Sequence, residues 1–249
     1  MKKTKKTFWC IIATLVIIAI VTLGIIALNL DRIVKSGVEI YGPKITKVTV
    51  NVDQIHIGLV TASASIKNLV VGNPDGYQAP QAISVGNISV GINPFTILSH
   101  KIVVRSINIQ LPEITFEGGL GGNNLSKILD NVNSTSQAGG PVVTNSVGQP
   151  KPAKKFEVDD LVISGAKVNG SLKLFGREIA IKNLSLPDIH LTNLGTGPDG
   201  ITASDLTSQV LHALTAAALQ AVTSEAGHLG GSVKGAGGLK NTFDSLFGK

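Results

Sequence analysis

The sequence predicts a mainly β fold with peripheral helices: an N-terminal transmembrane helix, a twisted and mostly antiparallel curled sheet, and a C-terminal amphipathic helix. Three observations carry this. Residues 8–30 hold no charge and are mostly Ile, Val, Leu and Ala. From Lys44 the apolar period becomes two, with Val48, Val50 and Val52 leading. From Thr202 it becomes three and four, through Leu206, Val210, Leu214, Ala217 or Ala218, Ala221 and Val222.

Composition agrees. The 249 residues are 43% hydrophobic and 15% charged, against about 25% charged for an average soluble domain. Mean hydropathy is +0.29, so a membrane segment or a large apolar surface must account for the excess. Aromatic residues make up 4%, which argues against platforms that stack bases or sugars. A single Cys excludes a disulfide scaffold and a cysteine zinc site. The net charge is +6, from 22 basic and 16 acidic residues. Lys2, Lys3, Lys5 and Lys6 supply four of those bases. The remainder is close to neutral, unlike a nucleic-acid-binding domain.

The elements follow in order. Residues 1–7 form a basic tail and 8–30 the anchor. A helix of that length rises about 34 Å, enough for a hydrocarbon core of about 30 Å. Trp9 suits the interface, and the four lysines orient the N-terminus to the cytoplasm and the body across the membrane. The run exceeds a signal-peptide core and ends Ala27-Leu28-Asn29-Leu30, a poor cleavage site. Cys10 lacks the small residues of a lipobox before it and reads as a thiol buried in lipid.

Residues 31–117 read as a β-rich region with a short leading helix. Val34, Val38 and Tyr41 share one helix face, and Gly42-Pro43 ends it. A pattern then recurs: aliphatic, variable, polar, aliphatic, variable, aliphatic. It appears at residues 52–57, 66–71, 85–90, 104–109, 158–163 and 181–186. Its first aliphatic residue and its last two have opposite parity. A bulge at the polar position would bring all three to one face and bend the strand. Residues 118–155, rich in Gly, Ser and Asn, read as a flexible loop, with one or two helical turns at residues 124–132. Strands resume over 156–197, and the amphipathic helix occupies 198–226, opened by a Thr202/Asp205 capping box. Residues 227–249 are a Gly-rich tail with a short helix near its end.

No catalytic, metal or cofactor set emerges. The five His share no ligand spacing, and there is no G-x-S-x-G. Gly195-Thr-Gly-Pro-Asp-Gly200 fits a dinucleotide fingerprint in letters only, because Pro198 lacks an N–H and no further strand follows. A non-enzymatic protein that uses no cofactor is the expectation.

The chain resembles the AsmA-like family of bacterial envelope proteins, which are distantly similar to bridge-like, repeating-β-groove lipid-transfer proteins. The resemblance lies in Val38-Glu-Ile-Tyr-Gly-Pro-Lys-Ile-Thr46, Leu69-Val-Val-Gly-Asn-Pro-Asp-Gly-Tyr77, Ile92-Asn-Pro-Phe-Thr-Ile-Leu98 and residues 107–117. It implies an inner-membrane anchor, a periplasmic β-rich body, and a role in outer-membrane or envelope lipid homeostasis or assembly. The groove it implies would be lined by Ile55, Ile57, Leu69, Val71, Ile88, Val90, Ile107, Ile109, Leu161 and Ile163. A closed β-core formed by the same residues is the competing reading, with a scaffold for other envelope proteins as the competing function. Expected partners are the membrane through its single-pass anchor, phospholipid, and other envelope proteins, with no nucleic acid. About ten strands at roughly 4.8 Å each give a sheet of about 50 Å, too short to bridge an envelope alone.

Overall fold

The computed structural model describes Thr14 and residues 29–58, 60–97, 99–119, 122–138, 143–144, 150–151, 153–174 and 177–229. The basic tail with Lys2, Lys3, Lys5, Lys6 and Trp9 lies outside these residues, as do the anchor apart from Thr14, Asn29 and Leu30, and the tail beyond 229. Among the described residues no helix is long and apolar enough to cross a membrane.

A helix, α1, runs to residue 46 over described residues 29–46. Then come β1 (Val50–Gly58), β2 (Ser63–Gly72), β3 (Gln81–Ile92), β4 (Lys101–Gln110), β5 (Glu113–Gly119) and β6 (Gly122–Asn123). Helix α2 (Asn124–Gln137) leads to a small ladder of β7 (Val143–Thr144) with β8 (Pro150–Lys151). The chain closes with β9 (Lys155–Ser164), β10 (Lys167–Leu174), β11 (Arg177–Ser185), β12 (Ile189–Leu194) and α3 (Ala203–Leu229).

All strands but β7 and β8 belong to one ten-stranded sheet, curled into a half-barrel. Its registers show that six ribbons lie side by side. The pairs Lys101↔Lys155 to Gln110↔Ser164 continue at the same offset as Glu113↔Lys167 to Gly119↔Lys173. Thus β4 and β5 are one bent ribbon, and β9 and β10 are another, parallel to it. The antiparallel pairs of β12 with β9 continue likewise into those of β11 with β10. In space the ribbons follow chain order, and every seam except that between β4/β5 and β9/β10 is antiparallel. The sheet is therefore about 24 Å wide, half the width expected from ten strands abreast.

The bends line up across the sheet. One crease passes through Asp53, Asn68, Gly86, Leu111 and Gly165, where the ladder skips a pair or the backbone turns left-handed. A second passes through Ala62, a register shift at Gly91/Ile92, and Asn193. A third joins shifts at Val71/Gly72 and Val168/Gly170 to Asn183. Among the described residues, six non-glycines have positive φ, and five of them (Ala62, Asn68, Leu111, Asn183 and Asn193) lie on these creases. Three of the five are Asn, whose short polar side chain tolerates this region best. At Gly170 (φ +129°) a Cβ would stand 1.9 Å from the Phe116 carbonyl oxygen, so only glycine fits.

The first two creases reset side-chain parity, as the repeated pattern requires. From Val158 to Val168 the buried residues are Val158, then Leu161 and Ile163, then Ala166 and Val168, and Leu172 follows beyond the third crease. The inward repeat is therefore five residues long: aliphatic, variable, aliphatic and two spacers.

Three expectations are corrected. Gly42-Pro43 does not end α1, which continues one turn further. Proline costs only its own N–H there, while the Pro43 carbonyl still accepts the Lys47 N–H at 2.9 Å and the Thr46 hydroxyl donates to the Gly42 carbonyl at 2.9 Å. Of the three residues expected to share an apolar face of α1, Val34 is exposed whereas Val38 and Tyr41 are half-buried, and the buried residues lie past them at Ile45 and Thr46. The flexible loop expected over 118–155 contains the fourteen-residue α2. Asn123 caps it by accepting the Ser126 N–H, and Leu125, Ile128, Leu129 and Val132 are buried. Its polar last turn is held by tertiary partners, since Asn131 and Thr135 donate to the Thr46 and Ile45 carbonyls.

Candidate functional site

The five-residue repeat and the common register place aliphatic side chains in rows across the sheet. One row is Val50, Val71, Ile83, Ile114, Val168 and Leu184. The next begins Val52, Leu69, Val85. Beyond the first crease six isoleucines pair in succession: Ile55, Ile66, Ile88, Ile109, Ile163 and Ile189. The fourth row is Ile57, Ala64, Val90, Ile107, Leu161 and Leu191, which the second crease separates from the pairs Ile92, Val104, Val158 and Leu194. All ten candidate groove residues fall within these four rows.

Cover differs along the ribbons. At the end where β5 and β10 finish, Ile114, Phe116 and Val168 are each 0% exposed. They join one core with Ile128 and Val132 of α2 and Leu214, Ala218 and Val222 of α3. Toward the other end Ile57, Val90, Ile107 and Leu191 are only half-buried, although Leu161 is covered and, beyond the second crease, Val104, Val158 and Leu194 are buried again. Among the candidates, Ile55, Ile88, Leu161 and Ile163 are buried, and Ile57, Leu69, Val71, Val90, Ile107 and Ile109 are half-buried. The apolar face is thus a packed core at one end and a partly open trough along the rows through Ile109 and Ile107.

The reverse face of β1–β4 is polar. A hollow of about 330 Å³ there is bordered largely by His56, Ser63, Ser65, Ser89, Ser106 and Asn108. A hydrophobic ligand therefore has only the inner face to bind. Among the described residues no three His, Cys, Asp or Glu side chains gather as a metal site. His56 and His190 are exposed, and Gly195–Gly200 is a turn between β12 and α3.

The two sheet edges are treated differently. At β1, Asp31 of α1 accepts the Ile57 N–H at 2.8 Å and Glu39 accepts the Val52 N–H at 3.4 Å, while Lys35 donates to the Asp53 carbonyl at 2.9 Å. A helix thereby caps backbone groups that would otherwise template a further strand. Sequence reasoning missed this, although Asp31, Lys35 and Glu39 at four-residue spacing were its visible signal. The opposite edge, β11/β12, has no further strand beyond it among the described residues.

The capping box at α3 is present: the Thr202 hydroxyl accepts the Asp205 N–H at 3.0 Å, and Asp205 accepts the Thr202 N–H at 3.1 Å. Desolvation, the largest influence on Asp205, pushes its carboxyl up. Hydrogen bonds from Thr202, with help from Ser136 and Lys155, outweigh it and hold the pKa below the ordinary value.

The AsmA family model matches residues 1–194, from the basic tail through β12. No curated protein and no solved structure matches the chain. That match spans the sheet whose creased, five-residue grammar builds the trough, and it ties the protein to the bacterial envelope; the chain belongs to the AsmA family.

Proposed function

We propose that the protein is a non-enzymatic, inner-membrane-anchored envelope protein whose periplasmic body shelters lipid acyl chains in the trough, serving envelope or outer-membrane lipid homeostasis. The observation that carries this reading is the pair of aliphatic rows through Ile109 and Ile107, which cross all six ribbons yet are left half-buried at several positions. A trough lined by branched aliphatic side chains, without a charge among the row residues, recognises hydrocarbon and nothing more specific. The uncharged 8–30 segment and the lysines before it support the anchor and its orientation.

The second reading, an interaction module, draws on the β11/β12 edge, beyond which no strand lies among the described residues, whereas the β1 edge is capped by α1. Lipid extraction from the purified full chain, followed by mass spectrometry, separates the two. Phospholipid retained in stoichiometric amount after detergent exchange is the expected result. Absence of lipid, together with specific capture of an envelope protein abolished by changes along β12, would replace the first reading by the second.

A further inference from the structure

We propose that the end of the sheet beside Asp31 is a membrane-docking surface, with Phe95 and Val60 seated in the interface of the bilayer leaflet that faces the sheet. This rests on the anchored reading above and adds to it a face and an orientation. Asp31 is the first residue after the uncharged segment. Its carboxylate is fixed to the last turn of β1, accepting the Ile57 N–H at 2.8 Å and meeting His56 Nδ1 at 3.2 Å. The bilayer surface must therefore lie near that end of the sheet.

The registers gather four connections at this same end. Gly58 pairs with Ser63, Ser63 with Gly91, and Lys101 with Lys155, while β12 ends beside the start of β9. Among the described residues, Val60 is 100% and Phe95 92% exposed. Ile33 and Val34, in the first turns of α1 after Asp31, are exposed too. The remaining exposed large hydrophobics, Ile40 and Leu111, lie farther along, and the 73–80 loop at the opposite end contributes none.

Phe95 is held outward by its loop rather than left loose. Asn93 accepts the Phe95 N–H at 3.2 Å, the Thr96 hydroxyl donates to the Asn93 carbonyl at 2.8 Å and accepts the Val103 N–H at 3.0 Å. Lys154 donates to the Ser99 carbonyl beside the tip, while Lys101, neutralised by Glu157, ties the loop to the Gly197 carbonyl. Exposed apolar side chains on a fixed loop, with the Lys154 ammonium beside them, suit a bilayer interface carrying anionic lipid.

The test uses the full chain with Cys10→Ser, carrying Val60→Cys, Phe95→Cys or Asp75→Cys labelled with an environment-sensitive fluorophore. Each is reconstituted in phosphatidylethanolamine/phosphatidylglycerol vesicles. The labels at 60 and 95 should shift to the blue, lose emission to bromine-bearing acyl chains, and resist aqueous iodide. The label at 75, in the 73–80 loop, should behave in the opposite way. If the anchored chain leaves all three labels equally open to iodide, docking is overturned, while lipid retention in the trough, read by extraction, stands or falls separately. A chain stripped from the vesicles by alkaline carbonate would overturn both the anchor and the docking surface.

Discussion

The two ends of the inner face are built from one sequence grammar and differ in what lies over them. At the end of β5 and β10, the row through Ile114 and Val168 sits under α2 and α3, with Val50, Ile83, Ile114 and Val168 buried and only its outer members Val71 and Leu184 half-buried. Toward the end near Asp31, the row through Val90 and Ile107 packs against the same core yet stays half-exposed at Ile57, Val90, Ile107 and Leu191. Aliphatic periodicity therefore says which face a residue occupies. The helices, spliced in by loops of quite different composition, decide whether that face is a core or a trough.

Replacing one residue at each end would break this comparison most strongly if it is wrong. Phe116→Ala removes a fully buried ring and leaves a cavity, costing about 3–5 kcal/mol. At about 2–4 °C per kcal/mol, the melting temperature should fall by about 10 °C. Val90→Ser, at the open end, should cost about 1 kcal/mol, because water already reaches the site. Thermal melts of the two variants check this. Equal, large losses would mean that the trough is a closed core throughout.

A smaller effect sharpens the part played by α3. The Asp205 pKa is depressed in the folded chain, so the carboxylate stabilises the fold above about pH 4, its unfolded range, and that contribution is lost as pH falls through the lower folded value. Asp205→Asn should cost about 1 kcal/mol at neutral pH through the weakened cap. It should also flatten the decline of melting temperature with acidity below about pH 4. A variant whose acid profile matches the parent would remove Asp205 from the account.

Much of this was legible from sequence because it is local. The aliphatic spacing marked all ten candidate positions, and the parity break within each copy called for a bulge at the polar residue, which Asn68 and Asn183 supply at positive φ. The Thr202/Asp205 pair announced the start of α3. What was not legible depends on pairing at long range. Nothing in Leu111-Pro112 or Leu186-Pro187 distinguishes a bend within one ribbon from a break between two, so the width came out doubled. Helix α2 keeps its polar last turn through bonds to the Ile45 and Thr46 carbonyls, some ninety residues away in sequence for Thr135. The four-residue spacing of Asp31, Lys35 and Glu39 likewise marks one face of a helix but not the strand edge that face meets.

The central claim is that lipid lies along the half-exposed rows, and photo-crosslinking from within them tests it most directly. A benzophenone amino acid is placed in the full chain at Ile107, and in a second variant at Asn108, which precedes Ile109 on the polar face. After irradiation in native membranes, the account predicts lipid adducts from position 107 and few or none from 108. Crosslinks from 107 confined to α2 or α3 of the same chain, with no lipid adduct, would contradict it and leave the inner face as a structural core.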